Sequence, residues 1–211
     1  MATYFFEGHI KPAIVEMSYR HIVEIGVAAG ANTVNLLQLA QEVDAFLYCI
    51  DPSTDFEPDT EYQRLLIVRK PSLQALKTIK QIDCAVIDGD HNWYTVYNEL
   101  KLVGERLVTG GTVFLHDVLW PYGRRDMYYE PKRVPRKYRH PYQKMGIVQG
   151  KMWLSRDGIN GEYYNAAYEG GSCNGVLTAI EDFLRLNQEY AFSIVQAEHG
   201  LGVLQKRPAG A

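Results

Sequence analysis

The residues with most chemical potential stand in two short runs, Val86-Ile87-Asp88-Gly89-Asp90-His91 and Phe114-Leu115-His116-Asp117. Each closes an apolar segment that reads as a buried strand. Two earlier strands carry acids at the same end, Glu24 within Ile22–Ile25 and Asp51 after Tyr48-Cys49-Ile50. In an open parallel sheet, ligands bind beyond the carboxyl ends of the strands. The pattern therefore aims Glu24, Asp51, Asp88, Asp90, His91, His116 and Asp117 at one edge. Such crowding of acids is costly unless a cation neutralises it. Carboxylate oxygens with water suit Mg2+, and an imidazole among them also admits Mn2+.

The first strand leads into Glu24-x-Gly26-x-x-x-Gly30, with Ala28 where a dinucleotide fingerprint carries its middle glycine. An apolar helical pattern follows from Asn32, and Asp51 comes 25 residues after Gly26. Strand, glycine turn, helix, strand and acid make a nucleoside site, in which the second acid accepts hydrogen bonds from ribose hydroxyls. An acid inside the turn is unsuited to a diphosphate but suits a cationic ligand. S-adenosylmethionine (SAM), with a sulfonium and an ammonium and no phosphate, meets that requirement. The pattern resembles motif I of the class I SAM-dependent methyltransferases.

The elements needed to hold these residues can be read from periodicity. A leading helix is expected over 9–20 and strands at about 22–26, 46–51, 64–68, 83–88 and 111–116. Helices are expected between them at about 31–42, 72–80 and 92–107. Thr109-Gly110-Gly111 reads as a helix stop. Residues 174–186 read as a further helix with Asn174 as its cap. Strands at 190–196 and 201–205, joined by a loop too short for a parallel crossover, form an antiparallel hairpin. The expected fold is α/β, a Rossmann-like seven-stranded, mostly parallel sheet ending in an antiparallel C-terminal hairpin. Helices cover both faces, and residues 118–173 form a long lid insertion within a single domain over 1–211.

Composition narrows the class further. The chain has 211 residues, 46% hydrophobic and 22% charged, which suits one domain with a real core. No apolar run approaches the ~20 residues of a membrane span, and the N-terminal residues lack a secretory pattern. Cys49, Cys84 and Cys173 form no Cys-x-x-Cys pair, which favours free thiols in a reducing cytoplasm over a zinc site. The net charge of −3 is uneven: residues 118–173 hold ten Lys/Arg against five Asp/Glu, with eight of the fifteen tyrosines and two of the three tryptophans. A basic segment can mark nucleic-acid binding. Interleaved with aromatics in one long connection, it fits a lid that grips a substrate equally well.

The Asp-Gly-Asp-His run, its following helix and the later Gly-Gly-Thr-Val-Phe-Leu-His-Asp together resemble the metal-dependent O-methyltransferases. That group includes catechol and caffeoyl-CoA enzymes and sugar-modifying enzymes related to macrocin methyltransferase. The resemblance implies a Mg2+ (or Mn2+) site at Asp88, His116 and Asp117, with Asp90 left as a helix cap. It implies His91 as the base that takes the acceptor's proton, in the place of the family's lysine. His140 and His199 are alternative bases. Glu24, Gly26, Ala28, Gly30, Asn32, Asp51, Ser72 and Asp88 are expected to contact the cofactor, Ser72 at its adenine. His116 replaces an acid of the family pattern, so it either ligates the metal or orients a ligand. Trp120, Tyr122, Arg124 and Arg125 follow the fifth strand and are expected to reach the acceptor, unless the two arginines pair with acids instead.

The expected activity is Mg-assisted O-methylation of a sugar, glycoside or polysaccharide hydroxyl. The alternatives are a phenolic natural product, a nucleic acid gripped by the basic lid, and a non-catalytic partner subunit. Strand four lacks the Asn/Asp-Pro-Pro-Tyr/Phe motif of base-methylating enzymes, which makes nucleic acid the weaker choice. A homodimer contact through Tyr4, Phe5 and Phe6 is a further expectation.

Overall fold

The computed structural model describes residues 3–208. Seven strands form the main sheet: β1 (His21–Ile25), β2 (Phe46–Ile50), β3 (Leu65–Val68), β4 (Ile82–Ile87), β5 (Leu107–His116), β9 (Tyr190–Val195) and β10 (Leu201–Lys206). Their order is β3-β2-β1-β4-β5-β10-β9. All neighbours pair parallel except β10, which runs antiparallel to both β5 and β9. This is the expected Rossmann-like sheet with its C-terminal hairpin. The chain reverses direction across the sheet at β1 and β4, so their carboxyl ends open a crevice.

Helices cover both faces. On one side α2 (Lys11–Glu16) and α3 (Ala31–Glu42) pack Ile14, Leu36, Leu39 and Ala40 against Ile22, Leu47 and Val86. On the other, α5 (Trp93–Gly104) and α6 (Val176–Leu186) pack Val96, Leu100, Ile180 and Phe183 against Ile82, Ala85 and Val113. The central strand β4 is buried along its whole length because both faces are covered.

Several boundaries differ from the sequence reading. The leading helix starts at α1 (Thr3–Phe5), passes through a π-helical turn at Phe6–Ile10 and ends at Glu16, where Ser18 turns left-handed. Phe5 and Phe6 are buried in this chain's own core, and only Tyr4 of that trio is exposed. Helix α4 spans only Ser72–Ala75 and tightens to a 3-10 turn at Leu76–Thr78. Helix α5 ends at Gly104, and Thr109-Gly110-Gly111 lies inside β5. There a register shift opposite Ile82 and Cys84 absorbs the extra residues, and the Tyr19 hydroxyl donates to the Gly110 carbonyl. Asn174 does not cap α6. It accepts from the Asp126 amide and donates to the carbonyls of Tyr168 and Gly170, and Gly175 takes the cap position. Asn92 does cap α5, its Oδ1 accepting from the Thr95 amide at 2.9 Å.

The 118–173 insertion is built rather than irregular. Strands β6 (Met127–Tyr128), β7 (Tyr142–Lys144) and β8 (Tyr164–Ala166) make a small antiparallel sheet in the order β6-β8-β7. Buried Asp126 fastens it to the main body, accepting from the amides of Trp93 and Gly175 at 2.7 Å and from the Tyr128 hydroxyl at 2.8 Å. All three cysteines are free. Among the described residues no helix is long and apolar enough to cross a membrane.

Candidate active site

A cleft of about 1250 Å³ opens over the carboxyl ends of β1, β2 and β4. Its floor is the glycine turn. Gly26 has φ +92°, and a Cβ there would fall 2.3 Å from the Asp88 carbonyl oxygen, so the turn and the end of β4 fit only without a side chain. Gly30, at φ +83°, makes the same allowance for the Phe56 ring. Asp51 braces this turn: its Oδ2 accepts from the amides of Val27 at 3.0 Å and Ala28 at 2.9 Å, and its Oδ1 from Ser53 at 2.8 Å.

Five of the expected cofactor contacts, Gly26, Ala28, Asp51, Ser72 and Asp88, line the cleft; Glu24, Gly30 and Asn32 do not. Glu24 is buried beneath the turn and accepts from the Asn32 amide group at 2.8 Å. Burial pushes its carboxyl up to about 7, with the hydrogen bond from Asn32 opposing.

Beyond Asp88, which lines the cleft, the acids and imidazoles that follow β4 and β5 meet. One donor atom each from Asp88, His116 and Asp117 lies within 4.8 Å of the other two. His116 Nδ1 stands 3.2 Å from Asp88 Oδ1 and 3.6 Å from Asp117 Oδ2. His91 Nε2 is 2.6 Å from Asp117 Oδ2 and 3.7 Å from Asp88 Oδ1. Asp117 reaches this position from a left-handed backbone, φ 59°, immediately after β5. Phe5 and Tyr122 wall the cluster, their rings 5.7 Å from His116 and 5.3 Å from His91.

The protonation state follows from this crowding. Burial opposes charge on His91, but the close contact with Asp117 and the negative charge of Asp88 outweigh it and push the imidazole up to about 10. His116 is pushed up to about 9 in the same way. Burial likewise works against both carboxylates, yet the two imidazoles hold Asp88 and Asp117 well below the usual carboxylate range. As a bare cluster the site is two imidazolium–carboxylate pairs.

The donor set suits a divalent cation. Two carboxylate oxygens and an imidazole nitrogen converge, and the chemistry of oxygen with one nitrogen admits Mg2+ or Mn2+. His91 Nδ1 and His116 Nε2 are buried without hydrogen-bond partners among the described residues.

The residues proposed to meet an acceptor divide. The Tyr122 ring lies against His91, and its hydroxyl accepts from the Asn160 amide group at 2.8 Å. Trp120 is half-buried next to β5, its carbonyl 3.1 Å from His199 Nδ1. The two arginines face elsewhere. Arg124 makes a two-bond clamp on Glu181 of α6, both contacts at 2.6 Å. Arg125 is 1% exposed and donates to the carbonyls of Ala166 and Met152 at 2.6 Å. Charge in a packed segment needs partners, and here the packing of residues 118–173 takes both guanidiniums. His140 is also absorbed by the lid, between the Tyr168 hydroxyl and the Cys173 carbonyl.

Two residues of the site escape the sequence reading. Tyr129 lines the cleft, is 55% exposed and sets its ring 6.4 Å from His91. Tyr128 is buried at the end of β6, and Tyr129 is presented by the bend that follows, which nothing local in the sequence marks. Glu99 lines the cleft from α5, and its signal is an acid inside an apolar stripe, between Val96 and Leu100.

Residues 23–118 match a family model described as a methyltransferase domain. No curated protein sequence matches the chain. Among solved structures, SAH-bound methyltransferase PaMTH1 of Podospora anserina is similar at TM-score 0.61 and 13% identity, over 99% of this chain and 80% of that one. A putative caffeoyl-CoA O-methyltransferase of Staphylococcus aureus follows at TM-score 0.57 and 14% identity, over 98% and 85%. The methyltransferase MycE of mycinamycin biosynthesis, in complex with Mg, SAH and mycinamycin VI, is similar at TM-score 0.58 and 12% identity. That match covers 100% of this chain and 52% of MycE. At these identities the likeness is one of fold.

Proposed function

We propose that this chain, which carries a methyltransferase domain across residues 23–118, moves the methyl group of SAM onto a hydroxyl oxygen with the help of a divalent cation. The observation that carries the reading is the meeting of His116, Asp117 and His91 with Asp88, which also lines a cleft floored by the glycine turn. Proteins of this fold hold SAH, and one of them holds Mg beside it.

Asp51 and the turn from Gly26 to Ala28 would receive the nucleoside. The sulfonium end would face Asp88, whose charge complements it. Asp88, His116 and Asp117 would hold Mg2+ or Mn2+, which when bound lowers the pKa of an acceptor hydroxyl and fixes its oxygen. Within the chain, His91 is the base: its Nε2 donates to Asp117 Oδ2 at 2.6 Å, which orients the ring and leaves the unpartnered Nδ1 as the nitrogen that takes the proton. Neutral His91 is required for that role, so its carboxylate partners must first be engaged by another cation. Tyr122, buried against His91, shields that ring from water, and Tyr129, which lines the cleft, offers a ring face to the acceptor. Methyl transfer is a direct displacement, and much of its rate comes from holding oxygen, carbon and sulfur in line.

The acceptor is proposed to be a sugar, glycoside or polysaccharide hydroxyl. The ring face of Tyr129 stacks on sugars, and a vicinal diol supplies two oxygens to one cation. A phenolic ring is the second reading, since the same tyrosine receives it. The test is transfer of labelled methyl from SAM to panels of glycosides and catechols, with and without chelator. Turnover that persists after complete chelation refutes the metal role. Absence of SAH binding by calorimetry refutes the whole reading.

A further inference from the structure

Among the buried acids that the mechanism does not use, Glu99 is the one that lines the cleft. Glu99 lies on α5, away from the metal cluster, and is 1% exposed. Its Oε2 has no hydrogen-bond partner among the described residues, yet the residue lines the cleft together with Ser72 and Thr95. Leaving a buried carboxyl oxygen unpartnered costs free energy, which a ligand can recover. On the reading above, Asp51 receives the ribose and Asp88 faces the sulfonium. The base is then directed toward the remaining wall, which is the wall of Ser72, Thr95 and Glu99.

We infer that Glu99 is an adenine-reading residue, presenting its buried Oε2 to the base edge where an exocyclic amino donor adjoins a ring-nitrogen acceptor. The chemistry requires a carboxylic acid, which offers one O–H donor and one acceptor, rather than a carboxylate with acceptors alone. Burial supplies it: Glu99 is pushed up to about 8, the Ser72 hydroxyl opposing and the Asp90 charge adding, with His91 acting the other way. The polar and titratable groups around it are Ser72 from α4, Thr95 one turn earlier on α5, and Asp90 and His91 from the turn before α5. Glu99 is thus a specificity-determining residue for the nucleoside, resting on the SAM reading.

Calorimetric titration of the full chain with S-adenosylhomocysteine and with its 6-deamino (purine riboside) analogue tests this. Wild type is expected to bind the analogue about tenfold more weakly, because a buried group loses its partner. Glu99→Leu is expected to bind S-adenosylhomocysteine about tenfold more weakly and to distinguish the two ligands by less than about twofold. Wild-type affinity is expected to fall as pH rises above about 8, while Glu99→Gln, which keeps a donor and an acceptor and cannot ionise, stays flat relative to it. Should Glu99→Leu fail to fold, the Glu99→Gln profile decides. An analogue penalty that survives in Glu99→Leu, or a Glu99→Gln profile that tracks wild type, overturns the inference. Wild type that binds neither ligand refutes the SAM reading instead.

Discussion

Gly26→Ala is the sharpest probe of how the cleft is assembled. A methyl group at this position would lie 2.3 Å from the Asp88 carbonyl oxygen, 2.5 Å from its carbon and 2.7 Å from Gly89 Cα, all backbone atoms. No rotamer relieves contacts with backbone, so β1 and β4 must separate at their carboxyl ends. The φ of +92° adds left-handed strain for any residue with a Cβ. Strain of ~1–3 kcal/mol and overpacking of ~1–3 kcal/mol together predict a loss of about 2–6 kcal/mol. In a chain this long that lowers the melting temperature by roughly 4–24 °C. The same movement carries Asp88 away from His116 and Asp117, so divalent-ion affinity should fall with stability. Gly89→Ala is the control, because its nearest contacts would be 3.4 Å or more. Thermal melts and Mn2+ calorimetry on both variants check this. Gly26→Ala with stability within about 1 kcal/mol of wild type and unchanged Mn2+ binding would refute the packing argument.

Other outcomes follow from the same geometry. Asp117→Asn removes the 2.6 Å partner of His91, and turnover should drop at least about a hundredfold, with Mn2+ affinity falling in parallel by calorimetry. Arg125→Met orphans the carbonyls of Ala166 and Met152 at about 1–3 kcal/mol each, and should raise amide exchange across residues 142–168 while cofactor affinity holds. Arg124→Ala releases a half-exposed clamp on Glu181, so stability should change by no more than about 1 kcal/mol and the acceptor KM should stay constant. In chelator, the depressed Asp88 and Asp117 contribute stability that is present above the ordinary carboxylate range and lost as pH falls below it. The raised His116 and His91 contribute stability that is full below about pH 6.5 and lost as pH rises through about 9 and 10. Denaturant titrations should therefore show a metal-free stability maximum near pH 5–6.5, which the double variant Asp88→Asn, Asp117→Asn flattens.

Much of this architecture is legible in the chain because it rests on local periodicity. Buried strands read as apolar runs, and α3 reads as a stripe whose bounds the structure reproduces at Ala31–Glu42. The tight loop before Leu201 required an antiparallel partner, and β10 has one. Strand ends also fix which acids share an edge, since parallel strands all present their carboxyl ends to the same side. Hence Asp88, His116 and Asp117 converge as their positions in sequence imply.

What tertiary structure decided is the assignment of each polar group to a partner. Arg124 and Arg125 are adjacent cations after a strand, and nothing local says that Glu181 and two lid carbonyls will take them. Gly26 looks like clearance for a ligand, but its missing Cβ first makes room for the Asp88 carbonyl, which only the register of β1 against β4 supplies. The protonation of His91 and Glu99 likewise depends on groups far off in sequence and on burial, both of which arise when the sheet closes. Periodicity is a property of neighbours along the chain and survives in the sequence. Electrostatics and close contact are properties of neighbours in space, and exist only once the chain has folded.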